Sequence, residues 1–289
     1  MNKISGMGVA LITPFKRDKS VDFDALSKVI EYVTVEGGAD FLVALGTTAE
    51  NPTLNAQEKK DIVRFIAAKN RKKLPLVVGV GGYNTGDVVK NVTNLYEEAD
   101  AVLSIVPYYN KPSQKGMQEH FTAIADASPK PVVLYNVPGR TGVNMTADTC
   151  LKLAEHKNII ATKEASGNLN QLGYILRGRP ADFSVLSGDD GLTLMQIVMG
   201  LDGVISVTGN AFPKEFGQLV HLALQGNFTS ARLIHLQMIE TIDLLFAEGN
   251  PVGVKMAMAI KGLIENELRL PLVAGSEVLY EKLKKQIRL

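Results

Sequence analysis

Eight short runs rich in Val, Ile and Leu recur along the chain, and this rhythm limits the fold more than any other feature. They are GVALI (8–12), DFLVAL (40–45), PLVVGV (75–80), AVLSIV (101–106), PVVLYN (131–136), IIATKE (159–164), FSVLSG (183–188) and GVISV (203–207). Their near-continuous apolarity suits parallel strands covered on both faces, and the intervals leave room for one helix each. In NAQEKKDIVRFIAAKN, for example, Ile62, Phe65, Ile66 and Lys69 recur at helical spacing after the cap candidate Asn55. Eight such units predict an α/β protein, a (β/α)8 TIM barrel.

From about residue 226 the strand pattern stops. Ala231, Ile234, Met238, Ile242 and Leu245 mark one helical face that ends at EGNP, and Pro251 opens another helix. The division expected is a catalytic barrel over 1–225 and a C-terminal helical region over 226–289. Met256 and Met258 read as core.

Composition narrows the partners. The 289 residues are 46% hydrophobic and 21% charged, enough to bury a large core. Lys and Arg number 31 against 30 Asp and Glu, so neither nucleic acid nor an anionic membrane is attracted globally, and small molecules move forward as partners. No stretch approaches the roughly 20 apolar residues of a membrane span. Cys150 is the single cysteine, which suits a buried apolar role and a reducing, cytoplasmic location. The histidines His120, His156, His221 and His235 are expected in helical segments without metal-ligand spacing, so no metal is expected. GVGGYNTG lacks the third glycine of a dinucleotide fingerprint, and no phosphate-binding P-loop motif occurs. Pyridoxal phosphate also uses a barrel lysine, but the two acids of SGDD disfavour a phosphate.

In a (β/α)8 barrel, reactive groups collect where strands end and βα loops begin. Here those places hold GTTAEN, PYYNKPS, YNVPGRTG, KEASG and SGDD. Any one of them is also ordinary turn chemistry; their co-location on one rim favours a site. Lys163 ends an apolar strand, where desolvation favours the neutral amine, a nucleophile for a ketone. It can equally snorkel outward or pair with Glu164, because Ala161 and Lys163 share one strand face and Thr162 and Glu164 the other. Tyr135 offers a phenol for proton transfer or a structural hydrogen bond. Thr47 and Thr48 offer hydroxyls for a relay, with backbone N–H groups of the same turn able to hold a carboxylate. Arg140 reads either as a clamp for a second carboxylate or as a surface charge.

The ordered set GTTAEN, PYYNKPS, YNVPGRTG, KEASGNL, SGDD and GVISVTGN resembles the dihydrodipicolinate synthase family of pyruvate-dependent class I aldolases. The resemblance implies a Schiff base between pyruvate and Lys163, with no cofactor beyond that covalent link. It implies a proton relay of Tyr135, Thr47 and Tyr109, the last reaching the site of an adjacent subunit in a homotetramer built as a dimer of dimers. It further implies that Thr48 holds the pyruvate carboxylate, that Arg140 binds the carboxylate of L-aspartate 4-semialdehyde, and that Gly188 and Ile205 line the pocket. The implied product is 4-hydroxy-tetrahydrodipicolinate, a precursor of diaminopimelate and lysine. N-acetylneuraminate lyases and keto-deoxy sugar acid aldolases share the lysine strand and the Gly-Thr-Thr turn but do not usually carry the arginine. A non-catalytic keto-acid-binding paralogue is the reading of a different class; retention of Lys163 and Tyr135 speaks against it.

Two departures stand out. Ala49 and Asn51 replace the Gly and Ser of the common Gly-Thr-Thr-Gly-Glu-Ser turn, and Ala49 would be strained if its position needs φ > 0. Where lysine-inhibited members carry polar effector-binding residues, this chain has Ala56 with Lys59 and Tyr83 with Asp87. A cationic Lys59 repels a lysine ammonium, so weak or absent feedback is expected.

Overall fold

The computed structural model describes residues 3–36, 38–70, 74–94 and 97–288. Each apolar run forms a strand: β1 (Gly6–Ala10), β2 (Phe41–Ala44), β3 (Leu76–Gly79), β4 (Ala101–Ile105), β5 (Val132–Asn136), β6 (Ile159–Glu164), β7 (Ser184–Ser187) and β8 (Gly203–Ser206). They pair in parallel in sequence order, and β8 returns to β1 with Met7 opposite Val204, closing the barrel. Closure depends on Gly203, at φ 151°, where a Cβ would lie 2.0 Å from the Gly6 carbonyl oxygen. The first strand stops short of its apolar run because the Ile12 N–H is taken by the Asn210 side chain at 3.1 Å instead of a neighbouring strand.

Alternation along the strands sorts the core into two shells. Phe41, Val77, Leu103, Val133, Ala161 and Leu186 fill the barrel interior, while Val132, Leu134, Val78 and Val185 pack between strands and helices. Phe41 plugs the floor against Gly8, where a Cβ would fall 2.1 Å from the ring.

The outer layer comprises α1 (Phe23–Glu31), α2 (Ala56–Asn70), α3 (Thr85–Thr93), α4 (Gln114–Ala127), the short α5 (Pro138–Thr141), α6 (Ala147–Ala154), α7 (Leu169–Gly178), α8 (Thr193–Met199) and α9 (Pro213–Leu224). Asn55 caps α2 in a reciprocal box: its Oδ1 accepts from Glu58 N, and Glu58 Oε2 accepts from Asn55 N, both at 2.9 Å. Ile62 and Ile66 are buried beneath it. Cys150 is buried in α6; burial, and then the Glu164 carboxylate, push its thiol up to about 12.

The tail forms α10 (Phe228–Phe246), α11 (Val252–Ile260) and α12 (Glu277–Arg288). Ala231, Met238, Ile242 and Leu245 are buried along α10, and Met256 and Met258 join the core. One expectation fails: His156 is not helical but sits in the turn after α6. There its Nδ1 accepts from Asn158 N at 3.1 Å and its Nε2 meets Asp126 at 3.0 Å, contacts that a continuing helix would break.

Candidate active site

The carboxyl ends of the strands surround a cavity of about 660 Å³. Lys163, Tyr135, Thr47, Thr48, Arg140, Gly188 and Ile205 all line it. Tyr109 does not.

The strand phase at Lys163 resolves inward. Lys163 and Tyr135 are register partners on β6 and β5, with Lys163 Nζ 4.4 Å from the centre of the Tyr135 ring. Lys163 is 6% exposed and neither snorkels nor pairs with Glu164. Glu164 points to the opposite face, where Asn136 Nδ2 donates to both carboxylate oxygens at 3.2 and 3.0 Å and Ser166 N donates to Oε1 at 2.7 Å. Asn136 also accepts from Met145 N at 3.0 Å, so the residues after Tyr135 and Lys163 are clamped together behind the site. Gly188 makes room for the lysine stem: a Cβ there would approach Lys163 Cε to 2.9 Å and Ala165 Cβ to 2.6 Å.

Thr47–Ala49 form one turn of 3-10 helix after β2. Ala49 is not strained; the left-handed residues flanking the turn are Leu45 and Glu50, both at φ 54°. Ala49 keeps its place through its carbonyl, which accepts from Thr13 Oγ1 at 2.8 Å. Asn51 opens the next short turn, Asn51–Thr53, without disturbing the threonines. Thr48 Oγ1 accepts from Asn250 Nδ2 at 2.9 Å, which leaves the hydroxyl proton for another acceptor. Asn250 comes from the helical tail and lines the cavity with Asp243 and Phe246. Sequence reading missed it because the contact spans 202 positions.

Arg140 sits at the mouth in α5, opened by Pro138 and ended by Gly142 at φ 71°. It is exposed and has no carboxylate partner among the described residues. A smaller adjoining cavity of about 270 Å³ shares Thr47, Tyr135 and Arg140 and adds Tyr108. Tyr109 lies outside both cavities, 87% exposed at φ 70°, its ring 6.4 Å from that of Tyr83.

The acids of SGDD divide their roles. Asp189 lines the cavity. Asp190 is buried and accepts from Val207 N at 3.0 Å and Thr208 N at 2.7 Å, tying the β7 loop to the β8 loop. Burial pushes its carboxyl up, and these hydrogen bonds oppose the shift.

A buried amine at the open end of a (β/α)8 barrel, with a phenol and two hydroxyls in the same cavity, has the groups that a Schiff-base lyase uses. The dihydrodipicolinate synthetase family model matches residues 3–289. A 4-hydroxy-tetrahydrodipicolinate synthase of Parabacteroides distasonis is 54% identical over 287 residues, 99% of this chain and 96% of its own. The crystal structure of dihydrodipicolinate synthase from Aquifex aeolicus superposes with a TM-score of 0.95 at 40% identity, covering 99% of this chain and 97% of that one. The chloride-inhibited dihydrodipicolinate synthase from Acinetobacter baumannii, solved in complex with pyruvate, superposes with a TM-score of 0.96 at 36% identity, covering 99% and 98%. The chain belongs to the dihydrodipicolinate synthetase family.

Proposed function

We propose that this protein condenses pyruvate with L-aspartate 4-semialdehyde to 4-hydroxy-tetrahydrodipicolinate, in the route to diaminopimelate and lysine. The observation that carries the reading is the Lys163 amine, buried in the cavity with no hydrogen bond or ion pair among the described residues and the Tyr135 ring 4.4 Å away. The amine adds to C2 of pyruvate, and loss of water leaves an imine. Loss of a C3 proton gives an enamine, which adds to the aldehyde. The amino group of the second substrate then attacks C2, closes the ring and returns Lys163 as a free amine. The imine is the electron sink throughout, so no redox cofactor enters the balance.

Tyr135 is placed beside the amine to pass protons to and from the carbinolamine, and Thr47 bridges the two cavities as the next hydroxyl. Thr48, its oxygen engaged by Asn250, has its proton to offer the pyruvate carboxylate. Arg140 at the mouth meets the carboxylate of the second substrate, and Gly188 and Ile205 shape the wall. The exposure of Tyr109, away from its own cavity, fits a relay completed in an adjacent subunit, and we propose a homotetramer as that assembly. Exposed Met195, Val198 and Met199 on α8 and Leu233 and Leu236 on α10 supply apolar surface for such assembly. We assign catalysis to residues 1–225 and support of the site to 226–289. No described helix is long and apolar enough to cross a membrane, and the single buried Cys150 suits the cytoplasm.

The test is to incubate the protein with pyruvate, reduce with borohydride and locate the adduct by mass spectrometry. An adduct on Lys163, with pyruvate consumption that requires aspartate 4-semialdehyde, is the expected result. Folded protein that binds pyruvate without forming an adduct would overturn the reading and favour a sensing role.

A further inference from the structure

A buried ion pair joins the threonine turn to the tail. Glu50 directly follows Thr47–Ala49, and its side chain is fully enclosed. Its Oε1 accepts from Lys255 Nζ on α11, and its Oε2 accepts from Arg269 N at 3.0 Å. Lys255 is equally enclosed; Nζ also donates to the Glu267 carbonyl at 2.9 Å and lies 4.2 Å from the centre of the Phe15 ring. The Arg269 guanidinium stacks on the same ring at 4.4 Å and forks onto Glu58 at 2.6 and 2.9 Å.

Stability alone does not account for this arrangement. Two enclosed charges lose most of their hydration, and a well-packed apolar pair of similar volume is commonly as stable or more so. Such a pair can instead fix one geometry, and here it has a specific object. Glu50 holds a left-handed backbone conformation at φ 54°, which turns the chain sharply after the threonines. Its N–H donates to the Thr47 carbonyl at 3.1 Å, closing the turn. The tail therefore grips the turn through three residues, Asn250 on the Thr48 hydroxyl and Lys255 and Arg269 on the Glu50 carboxylate.

We infer that Lys255, acting through Glu50, is a positioning residue that sets the Thr47–Thr48 turn for pyruvate binding. The inference rests on the Schiff-base reading above. It makes the helical tail a working part of the active site.

The double variant Glu50→Gln/Lys255→Met removes both charges with little change in volume. It is expected to fold, to raise KM for pyruvate about tenfold or more, and to slow borohydride trapping at sub-saturating pyruvate by the same factor, with any adduct still on Lys163. Asp202→Asn, which removes the charge that Arg179 and Lys3 meet at the opposite end of the barrel, should lower thermal stability and leave KM unchanged. A folded double variant with KM and trapping rate within about twofold of wild type would overturn the inference. If the double variant does not fold, Glu50→Asp, which keeps both charges but shortens the reach from the turn to Lys255, carries the same two outcomes. Trapping in the wild type tests the Schiff-base reading separately, so the two failures are distinguishable.

Discussion

Tyr135 and Lys163 are paired across adjacent parallel strands, and their successors Asn136 and Glu164 are paired in the same register on the other face. The reacting pair is thus held by a hydrogen-bonded pair one residue away. Asn136→Ala would strip the buried Glu164 carboxylate of the Nδ2 donor that reaches both its oxygens. A cost of about 2–3 kcal/mol is expected, seen as a Tm lower by roughly 5 °C, together with reduced kcat. An unchanged Tm would show that the clamp contributes nothing.

Tyr109 makes a prediction about subunits. Tyr109→Phe should lower turnover roughly 100-fold with the fold intact. Mixed and reassembled with Lys163→Ala, it should regain activity, because hybrid sites unite a wild-type lysine with a wild-type tyrosine. Unchanged turnover in the single variant would remove Tyr109 from the relay.

Arg140 is expected to discriminate between the two substrates. Arg140→Ala should raise KM for aspartate 4-semialdehyde roughly 10- to 100-fold while pyruvate KM stays within a few fold. Equal effects on both substrates would place the guanidinium elsewhere in the reaction.

At the far end of the barrel, His221 Nε2 meets Asp40 Oδ2 at 2.8 Å, and this contact holds the imidazole above its ordinary value. A folded-state value above the unfolded one means the stabilisation is full below about pH 6.5 and is lost as pH rises through the folded value. For a part-exposed pair it amounts to roughly 0.2–1 kcal/mol. The Tm gap between wild type and His221→Gln should therefore be widest near pH 5.5 and narrow toward pH 8.5. A gap that widens with pH would reverse the assignment.

Lysine feedback should be weak or absent. Lys59 is half-buried and carries the same sign of charge as the effector's ammonium. Half-maximal inhibition at physiological lysine concentrations would contradict this.

The barrel was legible because each strand is covered on both faces and so announces itself as an apolar run. The shared cavity was legible where rim chemistry is local: GTT, the tyrosine of YN, GR and K each lie at a strand end and line it. Strand phase at Lys163 was not legible, since either face of β6 offers one charged residue and only the Asn136 clamp on Glu164 decides between them. Asn250, Lys255 and Arg269 escaped notice because their partners lie about 200 positions away, where spacing carries no signal. His156 was misplaced because a turn contact to Asp126 overrides local helix propensity.

The reach of the tail into the threonine turn bears on modularity. A chain cut after residue 225 would keep Lys163, Tyr135 and both threonines, yet leave Glu50 without its cation and Thr48 without Asn250. If these contacts set the threonine turn, the barrel by itself is not a transplantable catalytic unit. Grafting its rim loops onto another (β/α)8 scaffold would require importing α11 and the strand-free segment around Arg269 as well.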